Sequence, residues 1–176
     1  MWYLKIKYKH SDCIYAAKLQ ELNINAFFYY IGKYVKGNYV YTSAMIQLVG
    51  EEKKIKRYVQ YLKNHSQVRR LEVYNNIVFI LAKHKKDLVL YEVAYGPQLI
   101  YTSPAYLSKE GFEIIELACW DRKPIEKYID ALQKNKTTEY FEILRFNEKK
   151  MEDIYVARLL PKLPEKQKQA ITIAFK

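Results

Sequence analysis

Glycine is scarce in this chain, and five residues in 176 leave little room for the phosphate-cradling loops of nucleotide-binding enzymes. Cysteine is scarcer. Cys13 and Cys119 stand 106 positions apart, which excludes a disulfide framework and the paired spacing of a structural zinc site. Long apolar runs are missing too: Ile77 to Ala82 is far shorter than the roughly 20 residues a membrane span needs. After Met1, Lys5 and Lys7 interrupt any apolar leader, so the expectation is a cytoplasmic protein without membrane contact. Acidic residues are in deficit, 19 against 30 Lys and Arg, and the net charge of +11 makes polyanions expected partners.

What is present is patterned. Trp2, Leu4, Ile6 and Tyr8 alternate with Tyr3, Lys5, Lys7 and Lys9, the period of a half-buried strand. From Asp12, residues Ile14, Ala17, Leu19 and Leu22 fall near helical spacing, with Ser11 or Asp12 as the expected N-cap. Two further strands are predicted around Lys36-Gly37-Asn38, then a helix over 51–64 that places Ile55, Tyr58, Val59 and Leu62 on one face, then strands before and after Asn75-Asn76. That order is the ferredoxin-like split βαβ arrangement. A strand over 112–119, a helix over 121–135 and a strand over 138–146 follow, with a hairpin expected around Gly96-Pro97.

The second half repeats part of the first. Ile55, Tyr58, Val59 and Leu62 recur seventy positions on as Ile125, Tyr128, Ile129 and Leu132, and Leu71 and Val73 recur as Phe141 and Ile143. Ile46 and Leu48 recur as Ile115 and Leu117, one residue out of step. The expectation is therefore an α+β protein of two ferredoxin-like, ACT-like modules with antiparallel sheets, over 1–84 and 85–147, then a linker over 148–163 and a C-terminal helix over 164–176.

Few residues carry legible chemistry. His10, Asp12 and Cys13 put an imidazole, a carboxylate and a thiol at the end of the first strand, as a soft-metal pair or a redox-active thiol, or else as a capping Asp12 beside a semi-buried Cys13. Only two good metal ligands are visible there, so neither a metal nor another cofactor is expected. His65 and His84 are read as solvated, Cys119-Trp120 as core, and the carboxylates as surface groups. No Gly-rich phosphate loop, G-x-S-x-G elbow or paired-His motif is present, and the chain is expected not to be an enzyme.

The segment from Leu163 to Phe175, Leu-Pro-Glu-Lys-Gln-Lys-Gln-Ala-Ile-Thr-Ile-Ala-Phe, resembles the opening helix of the helix-turn-helix domain in archaeal regulators of the bacterio-opsin-activator type. The resemblance covers 13 of 176 residues. It implies a sensing and dimerising region for an unidentified small-molecule effector, a cut helix-turn-helix domain over 164–176, and control of DNA binding through a C-terminal domain mostly beyond this chain. Arg158, Lys162, Lys166 and Lys168 would then touch DNA phosphates without reading bases. Two alternatives belong to other classes. One is a free-standing ACT-like small-molecule-binding module without DNA, though the glycine usual there is missing at Ser11 and Asp12; the other is RNA binding through Tyr39 and Tyr41.

Overall fold

A computed structural model describes residues 1–85 and 93–150. The expected DNA-contact residues Arg158, Lys162, Lys166 and Lys168, together with the linker from 151 onward and the C-terminal helix, lie outside the described residues.

The described chain is mixed α and β, built on antiparallel pairing. In chain order it runs β1 (Trp2–His10), α1 (Ala16–Leu22), β2 (Asn25–Lys36), β3 (Tyr39–Val49), α2 (Glu52–Asn64), β4 (Val68–Tyr74), β5 (Ile77–Lys85), β6 (Ile100–Tyr101), β7 (Ala105–Leu107), β8 (Glu113–Cys119), α3 (Arg122–Lys134) and β9 (Thr138–Glu148). The strands form one sheet in the order β4-β5-β3-β2-β7-β8-β1-β9, with β6 on β8.

Local chemistry accounts for these elements. Gly37 takes a left-handed φ of 58° in the two-residue turn joining β2 to β3, and Asn75 takes φ 54° in the turn from β4 to β5. Along β3, buried and half-exposed residues alternate from Val40 to Leu48, so one face of the sheet is apolar. Ile55, Tyr58 and Leu62 of α2 and Ile125, Tyr128 and Leu132 of α3 are buried in the same core as Ile46, Leu48, Ile115 and Leu117. The helix faces seen in the sequence repeat are thus the packing faces. Their outer sides carry Glu52–Lys56, Arg122–Glu126 and Asp130–Lys134 ion pairs one turn apart.

The sheet order departs from the ferredoxin-like expectation at one strand. That arrangement would put β1 beside β3, but β5 lies there, between β3 and β4. β1 lies instead between β8 and β9, with Ile6 opposite both Ile115 and Ile143. Two units of strand, helix and strand result, β3-α2-β4 and β8-α3-β9, each with a gap one strand wide. The first gap is filled by the next strand in the chain and the second by the N-terminal strand. Residues 1–10 therefore belong structurally with the second unit, not the first. The physical reason is geometric: parallel strands joined over a helix stand two positions apart, and any alternating apolar strand of the right direction completes the hydrogen bonding between them.

The halves meet where β2 pairs with β7 through Ala26–Leu107, Phe27–Tyr106 and Phe28–Ala105. The first arm of the hairpin expected around Gly96-Pro97 lies largely outside the described residues, and the described part departs from it. Val93 and Tyr95 flank a helical turn closed by the Gly96 N–H on the Val93 carbonyl, and Ile100–Tyr101 pair with β8.

Candidate functional site: a buried carboxylate in a tyrosine cavity

The inward-facing residues of β1 are Leu4, Ile6, Tyr8 and His10, so the alternation that buries the first two also buries a phenol and an imidazole. On β8, Glu113 is in phase with Ile115, Leu117 and Cys119, and it is 5% exposed. Pairing of Tyr8 with Glu113 brings these groups together. Gly111, with φ 85°, makes the turn that starts β8, closed by its N–H on the Ser108 carbonyl.

Glu113 accepts from the Tyr8 hydroxyl at 2.9 Å and meets His10 Nε2 at 3.1 Å. On the other side of the ring, His10 Nδ1 lies 2.5 Å from Asp12 Oδ1, which also accepts from Thr137 Oγ1 at 2.6 Å. The Tyr8 and His10 rings stack, with centroids 5.2 Å apart. Cys13 Sγ accepts from the Ala16 N–H at 3.3 Å. His10, Cys13 and Glu113 are all buried, and their ligand-capable atoms lie within 4.8 Å of one another. Among the described residues, this is the group that could hold a metal ion.

Burial opposes charge on His10, but hydrogen bonds to Asp12, Cys13 and Glu113 outweigh it and hold the imidazole protonated well above its ordinary range. Glu113 is likewise penalised by burial, and His10, with hydrogen bonds from Cys13 and Tyr8, keeps it below the usual carboxylate value. Asp12 is lowered by its bond to His10. Burial, then the charge of Glu113, pushes the Cys13 thiol up to about 11. An imidazolium between two carboxylates beside a neutral thiol sums to one net negative charge.

A cavity of about 40 Å³ adjoins this cluster. Its walls are tyrosines from separate elements: Tyr8 on β1, Tyr30 on β2, Tyr128 on α3, and Tyr15 and Tyr95 from connections, closed by Phe28, Ala94 and Leu107. Tyr30 stacks on Tyr101 at 3.9 Å and meets Tyr95 edge-on at 5.0 Å. The volume holds two or three waters or an ion, and is well below the roughly 300 Å³ at which metabolite pockets begin.

Of the residues singled out in the sequence, His10, Asp12 and Cys13 do converge, but in other roles. Asp12 is not a helix cap: α1 begins at Ala16, and the Asp12 carboxylate orients His10. Cys13 is 7% exposed, and burial raises its pKa, the opposite direction from an activated thiol. His84, read as solvated, is 1% exposed, with Nε2 3.0 Å from Thr42 Oγ1. His65 is half-buried and accepts from the Gln67 N–H through Nδ1. Cys119 is core as expected, whereas Trp120 is 70% exposed. Tyr41 is stacked on Tyr34, and the Lys83 ammonium sits 3.4 Å over the Tyr39 ring. Glu113 was missed. A charged residue in phase with an apolar strand face was the signal available for it.

The buried His84 makes a pH prediction. Burial lowers its pKa to about 4, against a weaker upward pull from Asp12, while the unfolded chain titrates at about 6.5. Between these values the unfolded chain binds the extra proton, so the contribution is complete above pH 6.5 and is lost as the pH falls toward 4, about 3 kcal/mol in all. Urea unfolding of wild type and His84→Gln at pH 7 and pH 4.5 should show the variant losing less stability by about 2 to 3 kcal/mol. Equal losses would show that His84 does not titrate as a buried neutral group.

The chain matches no family model, and no curated protein is significantly similar to it. Among the described residues no helix is long and apolar enough to cross a membrane.

Proposed function

We propose that this chain is a ligand-sensing module, with its effector bound in the tyrosine cavity against Glu113. One observation carries the reading: a nearly inaccessible, hydrogen-bonded carboxylate–imidazole pair lies beside an aromatic cavity. Buried charges are costly unless a role retains them, and clusters of perturbed groups concentrate at functional sites. The net negative charge and the tyrosine faces favour a cationic guest.

The cavity also suits signalling. Its walls come from β2 on one side of the β2–β7 junction and from β7, β8, β1 and α3 on the other. A guest larger than a few atoms must displace tyrosine rings, and would thereby bias how the two halves sit. In the regulator reading, rooted in the resemblance of residues 163–175, that bias would reach a DNA-binding domain of a dimer; two modules of ferredoxin-like ancestry, the second completed by β1, would form the sensor. Binding rather than catalysis is the proposed role: Cys13, the thiol beside His10, is only 7% exposed, and burial pushes its pKa up rather than activating it.

Thermal unfolding in metal-free buffer against a panel of small organic cations, aromatic amines and carboxylic acids tests this. A ligand present at about 100 times its Kd should add about 2.7 kcal/mol, raising Tm by roughly 5 to 10 °C, and Glu113→Gln should abolish the rise. A flat response across the panel, or one unchanged in Glu113→Gln, would count against the cavity as an organic-ligand site.

A further inference from the structure

We propose that His10, Cys13 and Glu113 form a binding site for one divalent transition metal ion, with zinc the expected occupant. The proposal deepens the ligand-sensing reading and rests on it, naming the ion as the guest or as the anchor for one. Sequence alone offers two ligands, His10 and Cys13, three positions apart across the end of β1. Pairing of β1 with β8 supplies the third from 100 residues away.

Several independent features fit an ion. In a tetrahedral site with metal–ligand distances of about 2.0 to 2.3 Å, ligand atoms stand roughly 3.3 to 3.8 Å apart. The three ligand atoms here already lie within 4.8 Å of one another, so small side-chain adjustments close the site. The His10 ring is pre-oriented: Nδ1 is tied to Asp12, itself held by Thr137, and Nε2 faces Glu113. A carboxylate behind a ligating imidazole is the arrangement that fixes tautomer and basicity at metal sites. The Ala16 N–H aimed at Cys13 Sγ supports a thiolate. Space agrees as well, because 40 Å³ accommodates an ion with one or two waters, leaving the fourth coordination position toward Tyr8, Tyr30 and Tyr128.

Binding of the ion displaces the proton from the Cys13 thiol and from any protonated His10 ring nitrogen it engages, and the carboxylates of Glu113 and Asp12 stand beside the positive charge. A thiolate and an imidazole select zinc, cobalt or iron over magnesium and calcium, which take oxygen ligands.

The test uses the full 176-residue chain, stripped with chelator and dialysed, then titrated with zinc chloride against a chromophoric chelator and, separately, with cobalt chloride. The expected result is one ion per chain with sub-micromolar zinc affinity, and thiolate-to-cobalt charge-transfer absorption. Cys13→Ser should lose that absorption and weaken zinc at least 100-fold, Asp12→Asn should weaken it 10- to 100-fold, and Cys119→Ser should change neither. Circular dichroism of each variant confirms folding, and the two conservative changes at Cys13 and Asp12 keep the test usable if His10 or Glu113 variants misfold. Absence of stoichiometric zinc and cobalt binding, or binding that survives Cys13→Ser unchanged, overturns the metal site. The organic panel in metal-free buffer decides the broader reading separately: stabilisation there without metal binding would leave a sensor of another guest, and failure of both would remove the ligand-sensing role.

Discussion

Glu113→Ala lowers the stability of the metal-free protein by about 3 to 5 kcal/mol, as expected when one member of a buried ion pair is removed and the other stays buried. His10 is 7% exposed and holds its proton through Asp12 and Glu113, so losing Glu113 leaves it with one carboxylate, and the Tyr8 hydroxyl loses its acceptor. The small side chain also leaves space between β1 and β8, which adds a packing cost. Urea unfolding in the presence of chelator measures the loss, and a double-mutant cycle separates its parts. His10→Gln combined with Glu113→Gln should be less destabilised than the sum of the single changes by about 1 to 3 kcal/mol, because the two buried partners leave together and only the half-buried Asp12 carboxylate, still held by Thr137, remains. Additivity would mean that His10 and Glu113 are not coupled, and would remove the electrostatic basis of the site.

Deleting residues 1–10 should prevent folding of the described chain, and moving them to the other end should restore it. Without β1, strands β8 and β9 face a gap one strand wide, and Leu4, Ile6 and Tyr8 leave the core. The structure shows where the strand can be reattached. Met1 and Lys149 exchange backbone hydrogen bonds at 2.8 Å in both directions, and Trp2 pairs with Glu148, so the end of β9 lies beside the start of β1. A permuted chain running 11–149, then Asn-Gly, then 1–10 would close β9 and β1 into a two-residue hairpin equivalent to the one joining β4 and β5. Circular dichroism and cooperative thermal unfolding should find that 1–150 and the permuted chain fold and that 11–150 does not. A folded 11–150 chain would show that β1 is dispensable, against its placement between two strands.

The sequence made the helices legible and left the sheet order open, for a specific reason. Ile55, Tyr58 and Leu62, and their counterparts Ile125, Tyr128 and Leu132, announce themselves because a helix face is written in consecutive turns, and its period needs no partner to be recognised. The alternation of Trp2, Leu4, Ile6 and Tyr8 identified a strand equally well. It carried no information on which neighbours that strand would have, since β5 and β1 share the same alternation and either gap accepts either strand by hydrogen bonding alone.

The site divides the same way. His10, Asp12 and Cys13 were visible as a cluster because they are local, but their roles depended on residues brought in by the fold. Thr137 and Glu113 turn Asp12 from an expected cap into the carboxylate that orients the imidazole. The sequence repeat even obscured Glu113: the register relating Ile46 to Ile115 places Ala44 opposite Ile80 in the first half where Glu113 lies opposite Tyr8 in the second. The two halves therefore share a framework while only one carries the polar cluster.

By itself the sequence determined the α+β class, the identity and packing faces of α2 and α3, the strand alternation and the scarcity of local catalytic motifs. These follow from periodicities of two and 3.6 residues, which are properties of short segments. Tertiary structure alone decided that β1 completes the second unit, that His84 is buried, and that Glu113 meets His10 and Cys13. Each of those is a contact between residues far apart in the chain, fixed by which surfaces must leave water together and not by any local pattern.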